Sequence, residues 1–260
     1  MITVIDLKKV SLILFITIIC FILCGFIMPH YQTKDGMSIL GYHGVVSDNE
    51  KIEKYKDDMY TLSESQFERH IKYLYENDYT VYTMKDIEEY LDGNLDVRKK
   101  AVVLTFDDGY KNFNEVVKPI LEKYGYHGTC FVIGKHVVDD KEKFLKEKDM
   151  IFDEYVSYYS HSYDLHRKSK NGLDRKIIED LSFDEIDADF KKNCVDSTYF
   201  AFPYGRSVEE IEEVLEKNHV KLAFSYNDFR HLTIHDNCYE IPRYMVVDDM
   251  PDWYIHWIVE

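Results

Sequence analysis

The sequence predicts an α/β fold, a (β/α) barrel in preference to an open parallel sheet, preceded by one N-terminal transmembrane helix. Three observations carry that expectation. Short apolar, aromatic or β-branched runs alternate with amphipathic helical ones roughly seven times over about 220 residues, the pattern of parallel strands joined by crossover helices. One long apolar run lies at the start of the chain. The remainder of the 260 residues, in a chain with 45% hydrophobic and 15% aromatic content, suffices for a single large core.

Lys8 and Lys9 precede a run from Val10 to Met28 that is broken only by Ser11, Thr17 and Gly25. As a helix it would span roughly 28 Å, enough to cross a bilayer. It exceeds the usual ~7–15-residue core of a signal peptide, and no A-x-A-like cleavage site follows it. Residues 10–28 are therefore expected to form an uncleaved membrane anchor, with a cleaved signal peptide and a secreted product as the alternative. The two lysines favour a cytoplasmic tail over residues 1–9, which would place the chain beyond His30 outside the cytoplasm at the cell membrane. Residues 29–36 read as a polar linker and 37–260 as one folded domain.

Within that domain the strand candidates are 38–42, 80–82, 101–106, 128–133, 155–160, 198–202, 221–226 and 239–247, most of them short and bounded by turn residues. Ser63 with Gln66, Ser182 with Glu185 and Ser207 with Glu210 have the spacing of helix-opening capping boxes. Apolar residues then recur at helical spacing: Phe67, Ile71 and Leu74; Ile186 and Phe190; Val208, Ile211 and Leu215.

Composition narrows the function classes. A formal net charge of −16 argues against nucleic acid as a partner, because phosphates demand a basic surface. Of the five cysteines, Cys20 and Cys24 fall in the apolar run. Cys130, Cys194 and Cys238 are too scattered for a disulfide framework or a zinc finger, and Cys130 reads as a small core residue.

The residues that carry chemistry sit where strands end. The run 101–106 leads straight into Asp107-Asp108-Gly109-Tyr110. Asp-Gly favours a turn, but two neighbouring acids can also divide labour, one binding a metal and one accepting a proton. Ser160-His161-Ser162-Tyr163-Asp164-Leu165-His166 follows the next candidate strand but one. A strand-to-loop bend can bring His161 and His166 onto one ion, and with an aspartate they make an open two-nitrogen, one-oxygen site. Phe200-Ala201-Phe202-Pro203-Tyr204-Gly205 ends another strand, where Pro and Gly can fix a rigid turn that presents a backbone N–H. Gly41-Tyr42-His43-Gly44 ends the first strand and adds His43 to the same layer, or else leaves it on the surface.

From Ser38 to Val247 these motifs, in their order and spacing, resemble the polysaccharide deacetylase family of carbohydrate esterases. The five-residue step from His161 to His166, the S-H-S-Y-D-L-H-R context and the early Y-H-G look closest to the poly-β-1,6-N-acetylglucosamine N-deacetylases of biofilm formation. The resemblance implies a distorted (β/α) barrel of about seven strands. It also implies a hydrolase that removes N-acetyl groups from an N-acetylglucosamine-containing polysaccharide. By the same resemblance Asp107 is the general base, and Asp108, His161 and His166 bind a divalent metal ion, zinc first, with cobalt, nickel, manganese or iron(II) as alternatives. The Tyr204 backbone N–H would hold the oxyanion. Many relatives carry an arginine two residues before the proline of the third motif, but Ala201 stands there, which leaves Asp107 without an evident guanidinium. Leu232-Thr233-Ile234-His235 only imitates the late L-x-H that supplies the leaving-group acid in relatives, so His43 is the better candidate for that role. Tyr42, Tyr163 and Tyr204 are candidate stacking surfaces for sugar rings. A peptidoglycan or chitooligosaccharide deacetylase would use the same ligands. A glycan-binding protein on a decayed deacetylase fold would need neither base nor ligands.

Overall fold

The computed structural model describes residues 15–17, 36–97, 100–170, 176–205, 208, 211–226 and 228–260. The expected anchor, 10–28, lies outside the described residues except for 15–17, which are helical. Among the described residues no helix is long and apolar enough to cross a membrane. The chain divides into two compact units, Met1–Lys34 and Asp35–Glu260.

The second unit holds ten strands among the described residues: β1 Met37–Tyr42, β2 Gly44–Val46, β3 Thr61–Ser63, β4 Thr80–Val81, β5 Ala101–Phe106, β6 Gly128–Val132, β7 Val156–Ser160, β8 Tyr199–Ala201, β9 Leu222–Phe224 and β10 Tyr244–Met245. Seven of them form a parallel ladder in the order β10-β1-β5-β6-β7-β8-β9, and β4 pairs with the start of β5. Every residue of β1, β5 and β6 is buried. Their near-continuous apolar runs have that cause, since a parallel strand is covered on both faces.

The expected barrel is an incomplete one. The segment expected as a single strand over 239–247 reaches ladder geometry only at Tyr244–Met245. Pro242, with no N–H to give, interrupts it. Before the proline the chain runs beside β9, with Ile241 N donating to Ala223 O at 3.0 Å and Ser225 N to Ile241 O at 2.9 Å. After it, Leu40 and Gly41 of β1 pair with Tyr244 and Met245. One short segment thus spans the gap between the two ends of the sheet, by a single bridge on one side and two paired residues on the other.

Strands β2 and β3 are not among the strands the sequence predicts. They form a separate two-stranded parallel sheet, and three-residue strands are too short to leave a periodic signal. The helix Glu64–Glu76 starts at Ser63, whose hydroxyl accepts from Gln66 N, and it buries Phe67, Ile71 and Leu74 as expected. At the helix Phe183–Lys192 the Glu185 carboxylate accepts from the Ser182 backbone N–H at 2.8 Å and its hydroxyl at 2.7 Å, satisfying an N-terminal donor. Ser207 and Glu210 lie outside the described residues. The helix there, Ile211–Lys217, buries Ile211, Val214 and Leu215. Cys130 is a buried free thiol in the core.

Candidate active site

Because the ladder is parallel, the C-terminal ends of its strands lie on one side, and the residues just beyond them converge. A cavity of ≈ 350 Å³ there is lined by His43 after β1, Asp107, Asp108 and Tyr110 after β5, His161 and His166 after β7, Tyr204 after β8 and Tyr226 after β9. Asp58, Tyr60, Thr61 and Lys176 complete the wall. The four motifs of the sequence therefore meet in one place.

The two adjacent aspartates have different surroundings. Asp107 is 2% exposed, and both its oxygens accept from the Arg243 guanidinium, at 2.7 and 2.9 Å. Burial alone would push this carboxyl up, but the charge of Arg243 outweighs it and, with His161 and His43 nearby, holds Asp107 well below the usual carboxylate range. Arg243 supplies the guanidinium that was not evident with Ala201 in the third motif. The guanidinium comes from the far end of the chain, fully buried, with its Nε donating to Ser225 O at 2.7 Å. An arginine inside the strand candidate 239–247 was the available signal, because a buried charge must have a partner.

Asp108 adopts the left-handed backbone, φ 77°, and Gly109 follows at φ 76°. A Cβ on Gly109 would meet Val132 Cγ1 at 2.7 Å, so only glycine permits this close turn. The turn separates the two carboxylates. Asp108 Oδ1 lies 3.4 Å from His166 Nε2 and 3.7 Å from His161 Nε2, and is buried with no hydrogen-bond partner among the described residues. Ligand atoms of Asp108, His161 and His166 all lie within 4.8 Å of one another.

The loop that carries both histidines is held rigidly. Ser162 sits at φ 68°, and the backbone N–H groups of Tyr163 and Asp164 donate to the two Asp189 oxygens, each at 2.8 Å. His161 Nδ1 lies 2.8 Å from Ala201 O; as the donor it leaves the Nε2 lone pair directed at Asp108. Burial pushes the His161 imidazole down to about 4, against the pull of Asp107 and Asp108, so it is neutral at pH 7 and able to ligate. An orphaned buried carboxylate oxygen beside two imidazole nitrogens is a donor set that fits a divalent cation with an open position.

Tyr204 has φ 59°, and its ring centroid lies 4.3 Å from that of His166, with Lys176 Nζ 4.2 Å from its centre. Gly205 brings this turn against β9's exit: a Cβ there would lie 1.9 Å from Tyr226 Cβ. His43 lines the cavity with its ring 4.9 Å from that of Tyr60, and its Nδ1 is buried without a hydrogen-bond partner among the described residues. His235 is exposed and outside the cavity lining. Two of the three expected sugar platforms are corrected. Tyr42 is fully buried, stacked on Phe106 and edge-on to Phe67, and Tyr163 is also buried. Both are packing residues.

An incomplete parallel barrel with acids and imidazoles gathered at the C-terminal ends of its strands is the architecture of a barrel enzyme. A family model for polysaccharide deacetylases matches residues 94–223. The poly-β-1,6-N-acetyl-D-glucosamine N-deacetylase of Staphylococcus aureus (strain MSSA476) is 32% identical over 205 residues, covering 73% of this chain and 69% of its own. Among solved structures, IcaB from Ammonifex degensii superposes with a TM-score of 0.71 at 22% identity, over 87% of this chain and 98% of its own. The Streptococcus pyogenes deacetylase PplD, solved with acetate, does so with 0.66 at 21%, over 86% and 98%. This chain belongs to the polysaccharide deacetylase family. Its activity is that of a polysaccharide N-deacetylase, a hydrolase of carbon–nitrogen bonds other than peptide bonds.

Proposed function

We propose that the protein removes N-acetyl groups from an N-acetylglucosamine polymer, namely extracellular poly-N-acetylglucosamine, in a metal-dependent reaction carried out beyond the cytoplasm by a membrane-anchored chain. The observation that carries the reading is the pairing of two acids with separate surroundings: Asp107 locked by Arg243, and Asp108 turned toward His161 and His166.

In this reading Asp108, His161 and His166 hold a divalent ion, zinc first. When bound, the ion supplies Lewis-acid polarisation of the acetyl carbonyl and lowers the pKa of water from about 16 toward 7. Asp107, kept ionised by Arg243, takes a proton from the attacking water, and Arg243 holds the carboxylate's orientation as it does so. The Tyr204 backbone N–H hydrogen-bonds the oxyanion, an interaction worth roughly 3–4 kcal/mol per donor in other enzymes. His43, which lines the same cavity, protonates the departing sugar amine. The products are acetate and a glucosamine unit.

The test is acetate release from defined β-1,6-linked and β-1,4-linked N-acetylglucosamine oligomers by metal-free protein, before and after single-metal add-back. Release from β-1,6 oligomers that requires the added ion supports the reading. Preference for β-1,4 oligomers would assign the protein to chitooligosaccharide or peptidoglycan substrates instead, and metal-independent release would remove the ion from the mechanism.

A further inference from the structure

We infer that Lys51, which is not itself part of the cavity lining, is a positioning residue that clamps the loop 55–60 and so fixes Tyr60 as a wall on which a sugar unit packs. The sugar rests on the polysaccharide reading above; the clamp itself rests on geometry alone.

The helix Asp48–Lys54 buries one residue, and that residue is a lysine. Lys51 is 7% exposed. Its ammonium donates to Tyr55 O at 2.9 Å and Asp58 O at 2.8 Å, and lies 2.9 Å from Asp248 Oδ2. A buried ammonium is costly unless it is paired and hydrogen-bonded. An apolar side chain would fill the same space without that cost, but could not hold two loop carbonyls against a carboxylate from the segment after β10.

Other bonds converge on the same loop. Asp248 N donates to Met59 O at 2.8 Å, and Asp248 O accepts from Gln66 Nε2 at 2.9 Å. The Asp58 carboxylate is turned into the loop, accepting from Tyr60 N at 3.0 Å and from Thr61 Oγ1 at 2.9 Å. At Thr61 the chain enters β3, paired with β2 directly after His43. Tyr60 needs another explanation than the core, since it is 40% exposed. Its ring lines the cavity 4.9 Å from that of His43. An aromatic face beside the reacting groups suits the C–H face of a pyranose. It does so only if held in place before the ligand arrives, because ordering a loop on binding subtracts from affinity.

The experiment compares Lys51→Met, Asp248→Asn and Tyr60→Ala on a β-1,6-linked N-acetylglucosamine oligomer and, for the first two, on a small aryl acetate that needs no sugar wall. For Lys51→Met and Tyr60→Ala the KM for the oligomer should rise about tenfold or more, with kcat within about threefold. Asp248→Asn should move it in the same direction by less. Metal content and aryl acetate hydrolysis should stay at wild-type levels in Lys51→Met and Asp248→Asn. An unchanged KM in either clamp variant overturns the inference, as does parallel loss on both substrates, which would make Lys51 a purely structural residue. If Lys51→Met does not fold, Asp248→Asn and Tyr60→Ala decide by the same criteria. A wild-type protein that hydrolyses the aryl acetate but no oligomer refutes the polysaccharide reading and the sugar wall with it. That result is distinct from an active wild type whose variants behave normally.

Discussion

Asp107 and Asp108 are neighbours in the chain, yet one faces a guanidinium and the other two imidazoles, so their loss should have different signatures. On the proposed assignment, Asp107→Asn removes a proton acceptor but no metal ligand. Metal content should persist while turnover falls by roughly 10²–10⁴-fold, with no recovery on adding metal. Asp108→Asn tolerates the left-handed backbone but offers a weaker, neutral ligand, so metal occupancy should drop and excess metal should restore part of the activity. Metal analysis of both proteins decides the assignment, and the opposite pattern would reverse the two roles. Arg243→Met tests the other half of the pair. It leaves a fully buried carboxylate without its cation, a change that costs about 3–5 kcal/mol in comparable buried pairs. Urea unfolding at pH 7 should show a loss of that order, and turnover should fall although Asp108, His161 and His166 were not touched. Unaltered stability would mean that Asp107 finds another partner.

At the scale of elements, the turn after β8 shows how a backbone approach sets the site. Gly205 has φ 62°, and an added Cβ would lie 2.5 Å from Tyr226 N and 1.9 Å from its Cβ. Backbone atoms cannot yield as a flexible side chain would, so Gly205→Ala must push the β8 turn away from the exit of β9. Tyr204 and Tyr226, both cavity residues, should shift with it. The expected outcome is a loss of stability of about 1–3 kcal/mol, from strain at a positive φ, together with reduced turnover and retained metal. Denaturant titration and metal analysis on the same preparation check it; wild-type turnover would show that the position of Tyr204 is not set by this contact.

For the whole molecule, acid sensitivity should begin well above the carboxylate range. His70, on the helix Glu64–Glu76, is fully buried, near the Tyr42 hydroxyl on one side and Asp252 on the other. Burial pushes its imidazole from 6.5 down to about 4, opposed by Asp252 and assisted by Arg69 and His256. The unfolded chain therefore binds more protons than the folded one between those values, and stability must fall as pH drops from about 6.5 toward 4. The contribution is on the order of 3 kcal/mol for a shift of this size. Above pH 6.5 both states hold the ring neutral and the effect vanishes. Unfolding free energies at pH 7.5, 6 and 5 should show the decline, and His70→Gln should make it shallower, with His161, held down in the same way, left to contribute over the same range; an equal slope in the variant would place the acid sensitivity elsewhere.

The sequence by itself determined the alternation of strands and helices, the parallel sheet, the family, and the six residues His43, Asp107, Asp108, His161, His166 and Tyr204 that line one cavity. Each of these is a local signal: a run of buried-strand residues, a cap, or a motif at a strand end, and a parallel sheet delivers strand ends to the same side. Only the tertiary structure decided the rest. Arg243 meets Asp107 across 136 positions, Lys51 reaches Asp248 from the opposite end of the chain, and Tyr42 proved to be core although it adjoins the histidine of a motif. Which tyrosine lines the cavity, which cation neutralises which acid, and whether the sheet closes depend on contacts between segments that carry no periodic mark of one another. The late chain makes the point most clearly. Pro242 could be read as an interruption of a strand, but that residues 238–245 leave β9 for β1 and carry Arg243 into the site is set only by where the two edges of the sheet lie.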